Sequence, residues 1–257
     1  MQDQFSRTRA LLGQEAMERL FQSSVAVFGI GGVGGHTVEA LVRSGVGRIA
    51  LFDDDKICLT NLNRQIIATH ETVGQYKVDV MAERILAIHP RARVETHRLF
   101  YGPDTAEAFD LGAYDYIVDA VDTVTAKLEL VSRAEAANTP IISSMGTANK
   151  LDPTAFQVVD IYDTQQDPLA RVMRRELRKR GIEKLKVVYS KEVALKPVEG
   201  LEEECRKNCI CPPGVARNCA IRRQIPASNA FVPAAAGLIL AAEAVRYLAG
   251  EFSSEAC

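Results

Sequence analysis

The stretch Val25–Gly35, reading VAVFGIGGVGG, constrains this chain more than any other. A short apolar run of strand type passes into a glycine-rich turn, and a helix opens at Gly34 or Gly35. Gly29, Gly31 and Gly34 satisfy the spacing G-x-G-x-x-G, and Gly32 adds a further glycine. Such a turn takes positive φ and lets the main chain approach a ligand where a Cβ would intrude. The helix behind it aims unpaired N–H groups at a phosphate. Asp53 follows Gly34 by 19 residues, at the end of a second apolar run, Ile49–Phe52. A carboxylate there can take the ribose hydroxyls. The combination points to a nucleotide without saying which one.

The rest of the first half repeats this rhythm. The helix after the glycine turn carries Val38, Leu41 and Val42 inward and ends at Gly45 or Gly47. The polar segment after Phe52 is long for a strand-to-helix connection, which marks it as functional. Thr72 is placed to cap the next helix, where Val78, Met81, Ala82, Ile85 and Ile88 share a face and Pro90 marks the stop. Val94–Arg98, Tyr116–Val121 and Pro140–Ser143 read as strands, with a helix over Ala126–Ala137. The class is α/β: a doubly wound, mostly parallel sheet of Rossmann-like type. Its crevice lies at the carboxyl ends of the strands, where Gly29–Gly34, Asp53 and Asp122 fall.

Three segments follow from this reading. Residues 1–22 form an N-terminal helical arm, and residues 23–150 the Rossmann-like nucleotide-binding domain. Residues 151–257 form a C-terminal α+β extension. It holds strands at Ala155–Ile161 and Leu185–Tyr189, a basic helix at Pro168–Arg180, and a polar cysteine-bearing stretch at Glu199–Pro226. An apolar helix at Ala234–Leu248 packs back onto the same sheet.

A net charge of −2 argues against a general nucleic-acid coat but leaves room for a local basic surface. The N-terminal stretch has no apolar signal core. The longest apolar run, Phe231–Ala242, contains Pro233 and is short for a bilayer span. The expectation is a soluble, cytoplasmic protein with no membrane partner. Four of the six cysteines lie between Cys205 and Cys219, which suggests a metal site or free thiols before disulfides. Cys205, Cys209, Cys211 and Cys219 can close a tetrahedral zinc site, although their spacing is not that of a standard finger. The alternative is a set of unliganded thiols, with Cys219 the nearest candidate for a reactive one. The histidines show no ligand spacing.

A dehydrogenase would need only the glycine turn and Asp53. This chain adds Asn61, Arg64 and Gln65 in the long loop, Lys77 at the head of the next helix, and Asp122 after the fourth strand. Arg64 and Lys77 can neutralise phosphate charge that develops as pyrophosphate leaves. Asp122 offers a hard oxygen for magnesium. Each cation alone reads equally as a solvated loop charge. Their order, at these strand ends, favours ATP over NAD.

The motifs GIGGVG at Gly29–Gly34, LFDDD at Leu51–Asp55, TNLNRQ at Thr60–Gln65, GQYK at Gly74–Lys77 and DAVD at Asp119–Asp122 resemble the ubiquitin-activating-enzyme-like adenylyltransferases. The likeness covers about residues 7–150. It implies that Asp53 holds the ribose, with Asp55 in the same motif. Asn61, Arg64 and Lys77 then hold phosphates, Gln65 belongs to the same loop, and Asp122 coordinates magnesium. Arg9 matches an arginine that reaches into a neighbouring subunit's site, which implies a homodimer. Carrier-protein activators of this group hold zinc on two CxxC pairs, and this chain has no CxxC. Instead Asp152–Gly181 and Ile225–Leu238 resemble the tRNA threonylcarbamoyladenosine dehydratases. That resemblance implies ATP-dependent adenylation and cyclisation of the modified adenosine beside the tRNA anticodon. Some relatives also have a sulfur-mobilising protein partner.

One local pattern agrees with tRNA. Arg171, Arg174, Arg175 and Arg178 fall at i, i+3, i+4 and i+7, opposite Leu169, Val172, Met173 and Leu177. Such a stripe can track a phosphate backbone, or it can be an ordinary solvated face. Two rivals remain at this point: an adenylyltransferase acting on the C-terminal Gly-Gly of a ubiquitin-like sulfur carrier, and a module that binds ATP without turnover.

Overall fold

The computed structural model describes residues 3–198 and 226–250. Seven strands form one sheet in the order β3-β2-β1-β4-β5-β7-β6. They are β1 (Ser24–Phe28), β2 (Arg48–Phe52), β3 (Arg93–His97), β4 (Tyr116–Asp119), β5 (Ile141–Ser144), β6 (Phe156–Asp160) and β7 (Lys186–Ser190). Neighbours run parallel except at the edge, where β6 is antiparallel to β7. Central β1 is buried along its whole length. Val25 and Val27 enter one core while Ala26 and Phe28 enter the other. Both faces are therefore covered by helices or loops, which is why the strand reads as a continuous apolar run.

The helices are α1 (Ser6–Leu12), α2 (Gln14–Gln22), α3 (Gly34–Ser44), α4 (Lys77–Ile88), α5 (Val124–Ala136), α6 (Pro168–Lys179) and α7 (Val232–Ala249). α3 sends Val38, Leu41 and Val42 into the main core. It ends at Gly45, whose φ of +100° lets its N–H meet the carbonyls of Leu41 and Val42. α7 crosses α3 at close range, and Thr37 Oγ1 donates to the Gly237 carbonyl at 3.0 Å. By length and composition α7 could cross a membrane. Here Val232, Ala236, Leu240, Ala241, Ala244 and Leu248 are buried against the sheet and α3, so its apolar content is spent on packing. β7 pairs in parallel with β5, so the chain after residue 150 widens the first sheet.

Three sequence expectations change in detail. The arm is two helices, because Gly13 breaks it with φ +86°. Thr72 does not cap α4. Its Oγ1 donates to the Ile67 carbonyl at 2.8 Å and accepts the Thr69 N–H at 2.9 Å, closing a local turn. α4 begins only at Lys77, after extended Tyr76. The fourth strand stops at Asp119 rather than Val121. The Asp119 carboxylate turns into the core, bonds to Lys127 Nζ at 2.9 Å and Ser143 Oγ at 2.7 Å, and accepts the Val121 N–H at 3.2 Å. That last bond bends the chain out of the strand and leaves Asp122 in the following loop.

Candidate active site

The glycine turn is built by contact with the fold as much as by room for a ligand. Gly29 has φ +87°, and a Cβ on it would sit 2.7 Å from the Ala120 carbonyl oxygen. A Cβ on Gly34 would lie 1.8 Å from the Gly29 oxygen. These two positions are closed to any side chain. Gly31 differs: the nearest atom to its Cβ would be the Gln65 amide nitrogen at 3.9 Å. Its bareness keeps space open rather than relieving a clash. Asp53 ties this turn to the end of β2. Its Oδ2 accepts the Ile30 N–H at 2.6 Å, and its Oδ1 accepts the Asp55 N–H at 2.9 Å.

Above the carboxyl ends of β1, β2, β4 and β5 lies a cavity of about 680 Å³. Gly29, Gly31 and Gly32 form its floor. Asp53 and Asp55 stand on one side, and Asn61, Arg64, Gln65 and Lys77 line it with Asp122. Residues separated by scores of positions in sequence thus meet around one space. Gly34 packs beneath it, in the first turn of α3. Arg9 does not line it; on the arm it pairs with Asp3 at 2.9 Å.

The charges are arranged in opposition. Lys77 is buried, with Nζ 2.7 Å from Asp55 Oδ2 and 3.6 Å from Asp53 Oδ1. Burial by itself pushes the ammonium toward the neutral form, but Asp53, Asp55 and Asp122 outweigh it and raise its pKa. Burial raises the Asp53 pKa, opposed by the Lys77 charge. The carboxylates of Asp53, Asp54 and Asp55 have oxygens within 4.8 Å of one another. Such a set of hard oxygens, with Asp122 on the cavity wall, fits a hard divalent ion such as magnesium.

The loop cations are oriented by the loop itself. Arg64 Nη1 donates to the Thr60 carbonyl at 3.1 Å and to Asn63 Oδ1 at 2.9 Å. Asn61 Oδ1 accepts the Cys58 N–H at 3.0 Å, so this side chain shapes the loop before it meets any ligand. Gln65 is buried, and its Oε1 has no hydrogen-bond partner among the described residues. A buried acceptor left so is costly, and a ligand donor in the cavity would satisfy it.

Sequence reasoning missed several parts of this wall. Leu99, Phe100 and Tyr101 close one side, Ser144–Ala148 another, and Pro226, Ala227 and Ser228 a third. Pro226–Ser228 belong to the stretch Ile225–Leu238 that carries the resemblance, but nothing in it or in the other two stretches indicates a place on this wall; the topology brings all three to one end of the sheet. The basic helix is also used differently from its pattern. Arg174 turns inward, with Nη1 bonded to Thr164 through both its carbonyl and its hydroxyl. Arg178 lies over the Tyr162 ring at 5.0 Å, and Arg175 pairs with Glu176 at 2.9 Å. The stripe of four is therefore not four solvated guanidiniums: Arg174 is an internal tie, while Arg171, Arg175 and Arg178 are exposed. Cys205, Cys209, Cys211 and Cys219 lie outside the described residues.

A glycine turn at the point where the sheet order reverses, with cations and carboxylates around one cavity, defines an α/β nucleotide-binding protein of Rossmann-like class. Within that class the chain belongs to the ThiF family, which it matches over residues 5–256. It is 45% identical over 246 residues to the tRNA threonylcarbamoyladenosine dehydratase of Bacillus subtilis, covering 95% of this chain and 94% of that one. The structure of the Escherichia coli tRNA N6-threonylcarbamoyladenosine dehydratase in complex with AMP matches with a TM-score of 0.82 at 31% identity, over 96% of this chain and 94% of that one. The same enzyme in complex with ATP matches at 0.81 and 32% identity, with the same coverage of both chains. The likeness to the sulfur carrier protein adenylyltransferase of Thermus thermophilus is narrower, 34% over 142 residues, spanning 54% of this chain and 52% of that one.

Proposed function

We infer that this protein is an ATP-dependent tRNA threonylcarbamoyladenosine dehydratase. One observation carries the reading: the nearly full-length likeness to such dehydratases, in a chain whose cavity gathers a glycine turn, three cations and four carboxylates. The carboxylate of the threonylcarbamoyl group attacks the α-phosphorus of ATP. The bond from that phosphorus to the bridging oxygen breaks, and pyrophosphate leaves. A nucleophilic atom of the carbamoyl group then attacks the activated carbonyl carbon, the bond from that carbon to the AMP oxygen breaks, a carbamoyl N–H proton passes to solvent, and AMP leaves the cyclic product behind. A carboxylate is a poor electrophile, and adenylation gives it a good leaving group. The attacking group is already tethered, so closing the ring costs little entropy. The protein has mainly to stabilise charge and exclude water.

In this reading Gly31 and Gly32 let the main chain approach the phosphates, and Asp53 takes the ribose. Asn61, Arg64, Gln65 and Lys77 face the phosphate chain. Lys77 begins paired with Asp55, so it is held in place before charge develops. Asp122 would hold magnesium, which would supply positive charge opposite the departing pyrophosphate. Arg171 and Arg175, exposed on α6, meet the tRNA backbone. The enzyme works in the cytoplasm as a homodimer. Leu11 is 83% exposed beside Leu238, Ala241 and Val245, an apolar groove suited to a second copy. Arg9 then acts on the partner's cavity.

The test is AMP release with magnesium ATP. Release that requires threonylcarbamoyladenosine-bearing tRNA supports the reading; release that requires a carrier protein overturns it. Arg64→Ala should lower kcat by about 10²-fold to 10³-fold, as loss of a charge-stabilising donor does. A mixture of Arg9→Ala and Arg64→Ala subunits should recover activity that neither has alone. Failure to recover would remove Arg9 from the neighbouring site.

A further inference from the structure

The cavity has two halves, and one residue pair organises the second. The first half holds the glycine turn, the aspartate cluster and Lys77. The second is walled by Ser144–Ala148 at and beyond the end of β5, by Leu169 at the start of α6, and by Pro226–Ser228. These are three separate stretches of chain. All three are fastened to Asn149 and Lys150.

Lys150 is 4% exposed, and its ammonium lies inside the fold. Nζ donates to the Gly146 carbonyl at 2.7 Å, holding the loop after β5. It lies 3.4 Å from Asp167 Oδ2 and 3.4 Å from the Ser190 carbonyl at the end of β7. Asp167 is the N-cap of α6, and its Oδ1 accepts the Ala170 N–H at 2.9 Å. The third stretch is held by main chain and amide groups. Asn149 N–H donates to the Ala227 carbonyl at 2.8 Å, and its Oδ1 accepts the Ala227 N–H at 2.8 Å. Asn229 Nδ2 returns a bond to the Lys150 carbonyl at 2.7 Å. Asn149 adopts φ +60°, a left-handed conformation that asparagine tolerates better than most residues. A buried ion pair adds little net stability over an apolar pair of the same size. Its directional bonds do something an apolar pair cannot: they set where three loops sit relative to one another.

We propose that Lys150 is a positioning residue for the acceptor half of the cavity, acting through the Gly146 carbonyl and Asp167. That half receives the carboxylate-bearing modified nucleoside, while ATP occupies the half built on the glycine turn. The same bond to Asp167 fixes the start of α6, so the exposed arginines of that helix are registered to the acceptor pocket. The assignment of the acceptor rests on the dehydratase reading above.

The experiment compares wild type with Lys150→Met, which keeps the aliphatic stem and removes the ammonium. ATP affinity without tRNA is measured by titration calorimetry, and AMP formation is followed against tRNA concentration. The expected result is ATP affinity within twofold of wild type and kcat/KM for modified tRNA at least 30-fold lower. If Lys150→Met does not yield folded protein, Asp167→Asn carries the same test. The amide can still cap Ala170 but no longer pairs as an anion, and at least a 5-fold loss in kcat/KM for tRNA is expected. Hydrogen exchange should speed at residues 145–148, with residues 29–35 unchanged. A variant with wild-type kcat/KM for tRNA, or one that loses ATP affinity in equal measure, overturns the proposal while leaving the dehydratase reading in place. A wild-type protein that forms no AMP with modified tRNA overturns both.

Discussion

At the residue scale, three side chains illustrate how burial decides chemistry. Lys77 keeps its charge because three carboxylates outweigh the cost of enclosing it. Its folded pKa is raised, so its contribution to stability is present at neutral pH and is lost as pH climbs above the ordinary lysine range. Denaturant unfolding should show no contribution to a decline from Lys77 below about pH 9.5 and a decline between about pH 10 and pH 12, and Lys77→Met should flatten it. Tyr101 is the opposite case. Its phenol oxygen is buried with no hydrogen-bond partner among the described residues, and burial pushes its pKa up to about 12. Its folded pKa too is raised, so stability from the neutral phenol falls as pH passes through the unfolded tyrosine range. Tyr101→Phe removes an unmet donor and should leave the free protein as stable or more so, by up to about 1 kcal/mol. A thermal melt checks this; a lower Tm would mean that the hydroxyl is bonded. Asp53 was legible from its distance to the glycines. Its bond to the Ile30 N–H was not, because spacing does not reveal which face of a carboxylate the turn has already taken.

At the element scale, α6 carries the sharpest lesson. Of the apolar side read from sequence, Met173 and Leu177 are buried and Leu169 and Val172 half-buried, with Ala170 buried beside them, while Arg171, Arg175 and Arg178 are exposed. The pattern could not show that Arg174 bends back to Thr164, because a long side chain on the flank of a stripe can face either way. Arg174→Ala should therefore cost stability, while Arg171→Ala with Arg175→Ala should spare it. The latter pair should also weaken tRNA binding. If both residues touch phosphates, the slope of log affinity against log salt becomes shallower by about 0.7 to 0.9 for each arginine removed. An unchanged slope would detach this face from tRNA. α7 carries a second prediction. A Cβ on Gly237 would come 2.3 Å from the Val33 carbonyl oxygen, where the two helices cross. Gly237→Ala must push α7 from α3 and should destabilise by about 1–3 kcal/mol, measured by urea unfolding. Because Val33 lies within the glycine turn, the same variant should also weaken ATP binding.

At the scale of the whole molecule, the cavity exists because the sheet order reverses at β1 and β4. The loops after those strands part there, and the glycine turn fills one side of the opening. The strands after residue 150 extend the same sheet through β7, which brings α6 and the Pro226–Ser228 stretch to the same end. Nucleotide half and acceptor half thus share one continuous sheet, while each is lined by its own loops. Among the described residues, the aspartate cluster and Asp122 offer the oxygens for a divalent ion. Removing magnesium with a chelator should abolish AMP formation and leave the unfolding midpoint of the free protein nearly unchanged.

The amino-acid order alone determined the α/β class, the succession of strands and helices, and the motif residues of the nucleotide half. These are local matters: apolar periodicity, the glycines of one turn, and an acid at a set distance past it each act within one or two elements. The acceptor half, the inward turn of Arg174 and the end of β4 at Asp119 were decided only by tertiary structure. Each depends on which stretch of chain lies across from which. Lys150 next to Asn149 looks like an ordinary loop lysine in sequence. It becomes a tie between three loops only when β5, β7 and α6 stand side by side, since hydrogen bonds of 2.7–3.4 Å reach between neighbours in space, not along the chain.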